Sequence, residues 1–168
     1  MEYRLLEPND AEMLAAIRLE SLKLEPEAFG SSLAEAEQVT IEEWQARLSP
    51  DNLSNSGYVG AFADGELIGI IGYFRHKGEK LRHKAALVSM YVRRSYRGSG
   101  AASGLIQTVL THLRTLGDIQ QAQLAVVTAN QAAVRLYEKM GFQPYGLEKN
   151  ALKAGDRYLD ETLMYIFL

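Results

Sequence analysis

The fold turns on one stretch: Ala85-Ala86-Leu87-Val88-Ser89-Met90-Tyr91-Val92, then Arg93-Arg94-Ser95-Tyr96-Arg97-Gly98-Ser99-Gly100, then Ala101-Ala102-Ser103-Gly104-Leu105 onward. The first part is a continuous apolar run, as expected of a central strand buried on both faces. The second is a loop of Gly, Ser and Arg. The third carries Leu105, Val109 and Leu113 on one stripe, with Ile106 and Leu110 beside it, and reads as a helix to about Leu116. Strand, glycine loop and helix in that order make an anion site. A helix leaves its first N–H groups unpaired and carries about half a positive charge at that end. Gly98 and Gly100 let the backbone turn so that those groups converge, with no Cβ in the way. The loop does not fit a P-loop, because no Gly-Lys pair exists in the chain. Nor does it complete a dinucleotide fingerprint, whose third glycine position is Ser103.

Working outward on the C-terminal side, Gly117-Asp118 ends the helix and Leu124–Val127 reads as a second short buried strand. Gln131–Met140 has Ala133, Leu136, Tyr137 and Met140 at helical spacing and stops at Gly141. Two last strands are expected near Gln143–Leu147 and Glu161–Phe167. On the N-terminal side, Tyr58–Ala63 and Leu67–Phe74 flank Asp64-Gly65, a two-residue hairpin signal. Thr40-Ile41-Glu42-Glu43 opens a helix through about Leu48 with a capping box. Residues 23–39 read as irregular. Tyr3–Leu6 reads as a strand, and Asn9 or Asp10 caps a helix carrying Met13, Leu14, Ile17 and Leu22. The expectation is one mixed α/β domain over residues 1–168, with about seven strands, mostly antiparallel, and about four helices.

Composition narrows the chemistry. The 168 residues are 47% apolar and hold no cysteine, which removes thiolate nucleophiles, disulfides and zinc–thiolate sites; no metal is expected. No apolar run approaches the ~20 residues of a membrane span, and Met1-Glu2-Tyr3-Arg4 lacks the order of a signal peptide. A cytoplasmic protein without a membrane partner is expected. The net charge is −3, unevenly spread. Residues 75–97 carry Arg75, Lys77, Lys80, Arg82, Lys84, Arg93, Arg94 and Arg97 against Glu79 alone, whereas residues 1–70 hold 14 Asp+Glu and only 4 Lys+Arg. An anionic ligand near residues 93–97 and a cationic one near the acidic half follow. Nucleic acid is not expected, because the basic stretch lacks interleaved base-stacking aromatics beyond Phe74, Tyr91 and Tyr96.

Arg97-Gly98-Ser99-Gly100-Ala101-Ala102 resembles the acetyl-CoA signature Arg/Gln-x-x-Gly-x-Gly/Ala of the GNAT family of N-acetyltransferases. Met90-Tyr91-Val92 looks like the end of that family's cofactor strand. Asn130 to Phe142 resembles its N-x-x-A-x-x-L-Y-x-K-x-G-F stretch at every marked position, and Gly155 to Met164 looks like a common C-terminus of the family. The resemblance implies acetyl transfer from acetyl-CoA directly to a primary amine of a small molecule or peptide. By the same resemblance, the backbone from Arg97 to Ala102 holds the CoA pyrophosphate, Met90–Val92 pairs with the pantetheine arm, and the thioester lies where the strands ending at Val92 and Val127 splay. A backbone N–H near Met90 stabilises the oxyanion.

Tyr137 matches the family's usual general acid to the CoA thiolate, although its periodicity alone makes it a core tyrosine. Asn130 bonds pantetheine, caps the following helix, or does both. For the base the sequence leaves His83, Glu25, Glu35, Glu37 or water open, since the strand Ala85–Met90 has no carboxylate. That gap motivates an alternative, a non-catalytic CoA-binding domain. Homodimers are common among relatives of this fold, so the resemblance allows a homodimer.

Overall fold

The computed structural model describes residues 1–168. Asp64 and Gly65 both take positive φ (51° and 80°), the left-handed pair a tight hairpin needs. They join β2 (Ser56–Ala63) to β3 (Glu66–Arg75). With β1 (Glu2–Leu5), β4 (Lys84–Val92), β5 (Gln121–Val127), β6 (Gln143–Ala154) and β7 (Arg157–Phe167) they form one seven-stranded sheet, ordered β1-β2-β3-β4-β5-β7-β6. Every pairing is antiparallel except β4 with β5. That parallel pair is bridged by helix α4 (Ala101–Thr115), the crossover that parallel neighbours require.

The apolar stripe foreseen for α4 is buried: Leu105, Ile106, Val109, Leu110 and Leu113 pack with Ile68, Ile71, Leu124 and Val126 of the sheet. Helix α5 (Gln131–Lys139) adds Tyr137 to the same face. The opposite face is covered by α1 (Ala11–Leu24) and α3 (Ile41–Arg47), whose Leu14, Ile17 and Trp44 meet Phe62, Leu67, Ile70 and Tyr91.

The structure departs from the sequence reading in three places. There are five α-helices, not four: α2 (Leu33–Glu37) lies in the stretch read as irregular, started by a capping box between Ser32 and Glu35. The last two strands are longer than expected and make an exposed hairpin. Finally, β4 is not buried on both faces. Ala85, Leu87, Tyr91 and Val92 are buried, but Ala86 and Val88–Met90 are only half so. Ser89 has a φ of 56°, and the register with β3 slips so that Ser89 and Met90 together oppose Ile71. This is a β-bulge, and it bends the strand just before the glycine loop. On its other side β4 pairs with β5 only through Lys84–Ala86 and Gln121–Gln123. Beyond Ala86 the two strands part.

Candidate active site

The gap between β4 and β5 opens into a cavity of about 870 Å³. Met90, Tyr91 and Val92 border it from β4, and Val127, Ala129 and Asn130 from the end of β5. Ala132, Ala133, Leu136 and Lys139 come from α5, and Leu24–Phe29 form the lip on the α1 side.

The N-terminus of α4 faces this cavity. Gly100 is its N-cap with a φ of 90°, and Gly98 has a φ of 79°. A Cβ at either position would meet nothing within 4 Å, so the loop stands open. Arg97 N–H donates to Arg94 O (3.2 Å), Ser99 N–H to Tyr96 O (3.4 Å), and Gly104 N–H to Gly100 O (3.0 Å). The N–H groups of Gly98, Gly100, Ala101, Ala102 and Ser103 have no acceptor in the chain. Five unpaired donors at the positive end of a 15-residue helix, beside a large cavity, form an anion cradle. Ser103 was not singled out from the sequence, although counting the first helical N–H groups from Gly100 would have included it. Ser99 does not border the cavity; its hydroxyl donates to Tyr96 O at 2.6 Å.

Of the three arginines expected at the rim, only Arg97 borders the cavity. Its Nε donates to Val92 O (3.1 Å) and its Nη2 to Glu25 (3.1 Å), which Arg94 also reaches at 3.2 Å. Arg93 is turned away into ion pairs with Glu20 and Glu66. Tyr91 donates to Glu20 at 2.9 Å, and burial together with that carboxylate pushes its phenol up to about 12.

Asn130 does what the sequence allowed: its Oδ1 accepts from Ala133 N–H at 3.2 Å, capping α5, while the residue also borders the cavity. Tyr137 is 7% exposed, and its ring meets Phe142 edge-on at 5.7 Å. It does not itself border the cavity, although Ala133 and its neighbour Leu136 do. Burial alone raises its phenol, with no hydrogen-bond partner to offset it.

The four base candidates separate. Glu25 borders the cavity; burial pushes its carboxyl up, but hydrogen bonds from Arg97 and Arg94 outweigh this and hold it below the usual range. Glu35 is spent in the α2 capping box, and Glu37 is exposed on the same short helix. His83 precedes β4 at its far end, roughly 20 Å along the strand from Met90. A fourth carboxylate was missed. Glu161 of β7 sits opposite Val127 of β5 and opposite Glu148 of β6. Alternation along the strand places its side chain on the α1 face, away from Val126 and α4. Burial first, and then Glu148, raise its carboxyl above the ordinary range. Neither glutamate has an ion-pair partner in the chain. Glu161 does not itself border the cavity, although Val127 opposite it does; only the long-range register of β5, β7 and β6 places it there, and no local sequence signal carries that.

Residues 19–142 match the model of the Acetyltransferase (GNAT) family. The chain is 31% identical over 153 residues to a histone acetyltransferase of Arabidopsis thaliana, covering 85% of this chain and 60% of that protein. It is 27% identical over 88 residues to a spermine/spermidine N(1)-acetyltransferase of Bacillus subtilis, covering 51% of this chain and 58% of that one. The chain thus spans about three fifths of the length of these relatives. Among solved structures, an acetyltransferase of the same family from Streptococcus pneumoniae superposes with a TM-score of 0.86 at 27% identity, over 99% of both chains.

Proposed function

The chain belongs to the Acetyltransferase (GNAT) family, and on that premise we propose that it passes the acetyl group of acetyl-CoA directly to a primary amine. The observation that carries this reading is the fan of unpaired N–H groups at Gly98 and Gly100–Ser103 beside the parted strands. The cradle would hold the diphosphate, with Arg97 adding charge once it exchanges Glu25 for the ligand. Met90–Val92 presents an unpaired strand edge, which would pair with the pantetheine amides as a further strand would. Acetyl-CoA supplies an acyl carbon already activated as a thioester.

The residues then have separate tasks. A backbone N–H at the Ser89–Met90 bulge, freed from the regular ladder, donates to the negative charge developing on the acetyl oxygen; such a donor contributes about 3–4 kcal/mol in other enzymes. Tyr137 keeps its proton until the sulfur needs it, because burial disfavours the phenolate. We assign Glu161, acting through water from beside Val127, to take the proton of the attacking amine. Its raised carboxyl is better matched to neutral pH than an ordinary glutamate. The acceptor is a cationic amine: Glu148 and Glu161 lack internal cations, whereas Glu25 and Glu27 on the lip are already paired with Arg94, Arg97 and Arg157. A polyamine or a lysine-rich peptide fits that chemistry, as the names of the two relatives suggest.

Calorimetry with acetyl-CoA tests the donor, and release of free thiol over a panel of polyamines, amino acids and histone-tail peptides tests the acceptor. Saturable donor binding and turnover with a cationic amine are expected. No saturation at tens of micromolar acetyl-CoA overturns the proposal. Binding without turnover on any amine would leave only the non-catalytic alternative.

A further inference from the structure

A second hollow, also about 870 Å³, opens at the opposite end of the sheet. Asn55 and Ser56 wall it where β2 begins, Phe74–Lys77 where β3 ends, and Arg82 in the loop leading to β4. Acetyl transfer uses none of these residues. The nine residues of β4 set the hollow about 30 Å from Val92.

Two buried groups on its wall are unsatisfied. The Arg75 side chain is only 8% exposed, and its Nε finds no acceptor; His76 Nε2, also buried, has no partner. Buried donors are nearly always paired, so two orphans on one wall call for an explanation. The guanidinium Nε–H can only donate, and an imidazole donates through Nε2 whenever that nitrogen carries the proton. The missing partner of Arg75 is therefore an acceptor, and so is that of His76 in its Nε2-protonated form. The charge around it is positive. Asp118 pairs with Arg75 and lies 3.5 Å from Arg82, so a single carboxylate serves two guanidiniums. Lys77 has no ion pair, and Glu79 is the only carboxylate on the wall. Phe74, 43% exposed, packs its ring edge against His76 at 5.8 Å and leaves an apolar surface beside the cations.

We propose that this hollow is a second binding site, for a small phosphorylated organic molecule whose phosphate oxygens accept from Arg75 Nε and His76 Nε2. A phosphate offers several acceptor oxygens and a charge suited to Arg75, Lys77 and Arg82 together. The volume exceeds what inorganic phosphate fills and falls in the usual range for small-molecule sites. The exposed face of Phe74 takes the organic part.

The chain has three histidines, so the full-length protein gives three ring Cε1–H signals in a ¹H–¹³C spectrum, assignable with His→Gln variants. Titration with phenyl phosphate should move the His76 signal saturably. His112, whose Nε2 lies 2.7 Å from the Tyr73 hydroxyl, should not move. Inorganic phosphate should bind the same site at least fivefold more weakly. Lys77→Ala with Arg82→Ala should raise the dissociation constant read at His76 at least fivefold. Lys80→Ala with Lys84→Ala removes equal charge outside the wall and should change it less than twofold. A linear, unsaturated shift, an equal shift at His112, inorganic phosphate as tight as phenyl phosphate, or an equal loss in the two double variants would each overturn the proposal. Because the readout is at His76, the outcome does not depend on whether the chain transfers acetyl groups.

Discussion

Gly100 sits where backbone geometry and chemistry coincide, since its φ of 90° turns the loop and frees the donors behind it. Alanine there must enter the left-handed region, at a cost of about 1–2 kcal/mol. Gly100→Ala should lower Tm by a few degrees and weaken acetyl-CoA binding severalfold; calorimetry and a melt measure both. Tyr137 is the next test. Tyr137→Phe should reduce kcat at least tenfold, against the roughly 10²–10⁴-fold typical of a lost general acid, with acetyl-CoA affinity nearly unchanged. Equal kcat in the two proteins would return Tyr137 to the core. Glu161 makes a prediction about pH. Its folded carboxyl titrates above the unfolded value, so it destabilises the native state as pH rises through the ordinary carboxylate range, and the penalty is complete above its raised pKa. Glu161→Gln should therefore stabilise the protein at neutral pH and not at pH 3, while lowering kcat and flattening the acidic limb of its pH profile. A merely structural Glu161 would leave that limb in place.

At the scale of elements, Asp10 ties the entry of α1 to β1. Arg4 donates to both of its carboxylate oxygens (2.7 and 2.9 Å), and Glu7 N–H donates at 2.8 Å. The hydrogen bonds from Arg4 hold the Asp10 carboxyl below its usual value. Its contribution is present above the unfolded pKa and is lost as pH falls through the lowered folded one. Asp10→Ala should cost about 2 kcal/mol near neutral pH, read from urea unfolding, and the difference should shrink toward pH 2. The elements were legible in proportion to how local their causes are. Asp64-Gly65 announced its hairpin, and the glycines announced the loop before α4. Helix α2 was missed although Ser32 and Glu35 form the same capping box that marked α3 at Thr40 and Glu43, because five residues hold no apolar period. The far half of β6 was missed because its exposed Glu148–Asn150 carry no alternation to read. The β4 bulge was invisible for another reason: serine carries no preference for the positive φ that Ser89 adopts, and the register slip is a property of the β3–β4 pairing.

Across the whole molecule, the basic stretch 75–97 does not act as one surface. Its ends lie at opposite ends of β4: Arg93, Arg94 and Arg97 meet Glu20, Glu25 and Glu66, whereas Arg75 and Arg82 share Asp118. The sequence showed the charge but not the division, which depends on strand length and direction. Of the acidic residues of the first half, Glu25 and Glu27 line the lip of the cavity, and Glu148 and Glu161 add carboxylates with no internal cation near the proposed acceptor mouth. Raising salt should therefore increase KM for a polycationic acceptor severalfold, because exposed charges beyond about 10 Å are screened at 0.1 M, while KM for a neutral amine stays level. Steady-state kinetics at two ionic strengths decide this.

Three residue pairs, Lys84–Ala86 against Gln121–Gln123, with the adjoining bonds from Gln120 and Gln121 N–H to His83 O, join the β1–β4 half of the sheet to the β5–β7 half. The protein is thus built like a book held by a short length of spine. Whatever lies down in the open pages and bonds to both margins stitches the covers together, so amide exchange along Leu87–Val92 and Leu124–Val127, as well as at Gly98–Ser103, should slow more on donor binding than in the rest of the chain. Pulled lengthwise in the empty state, that narrow hinge is where the molecule should tear first.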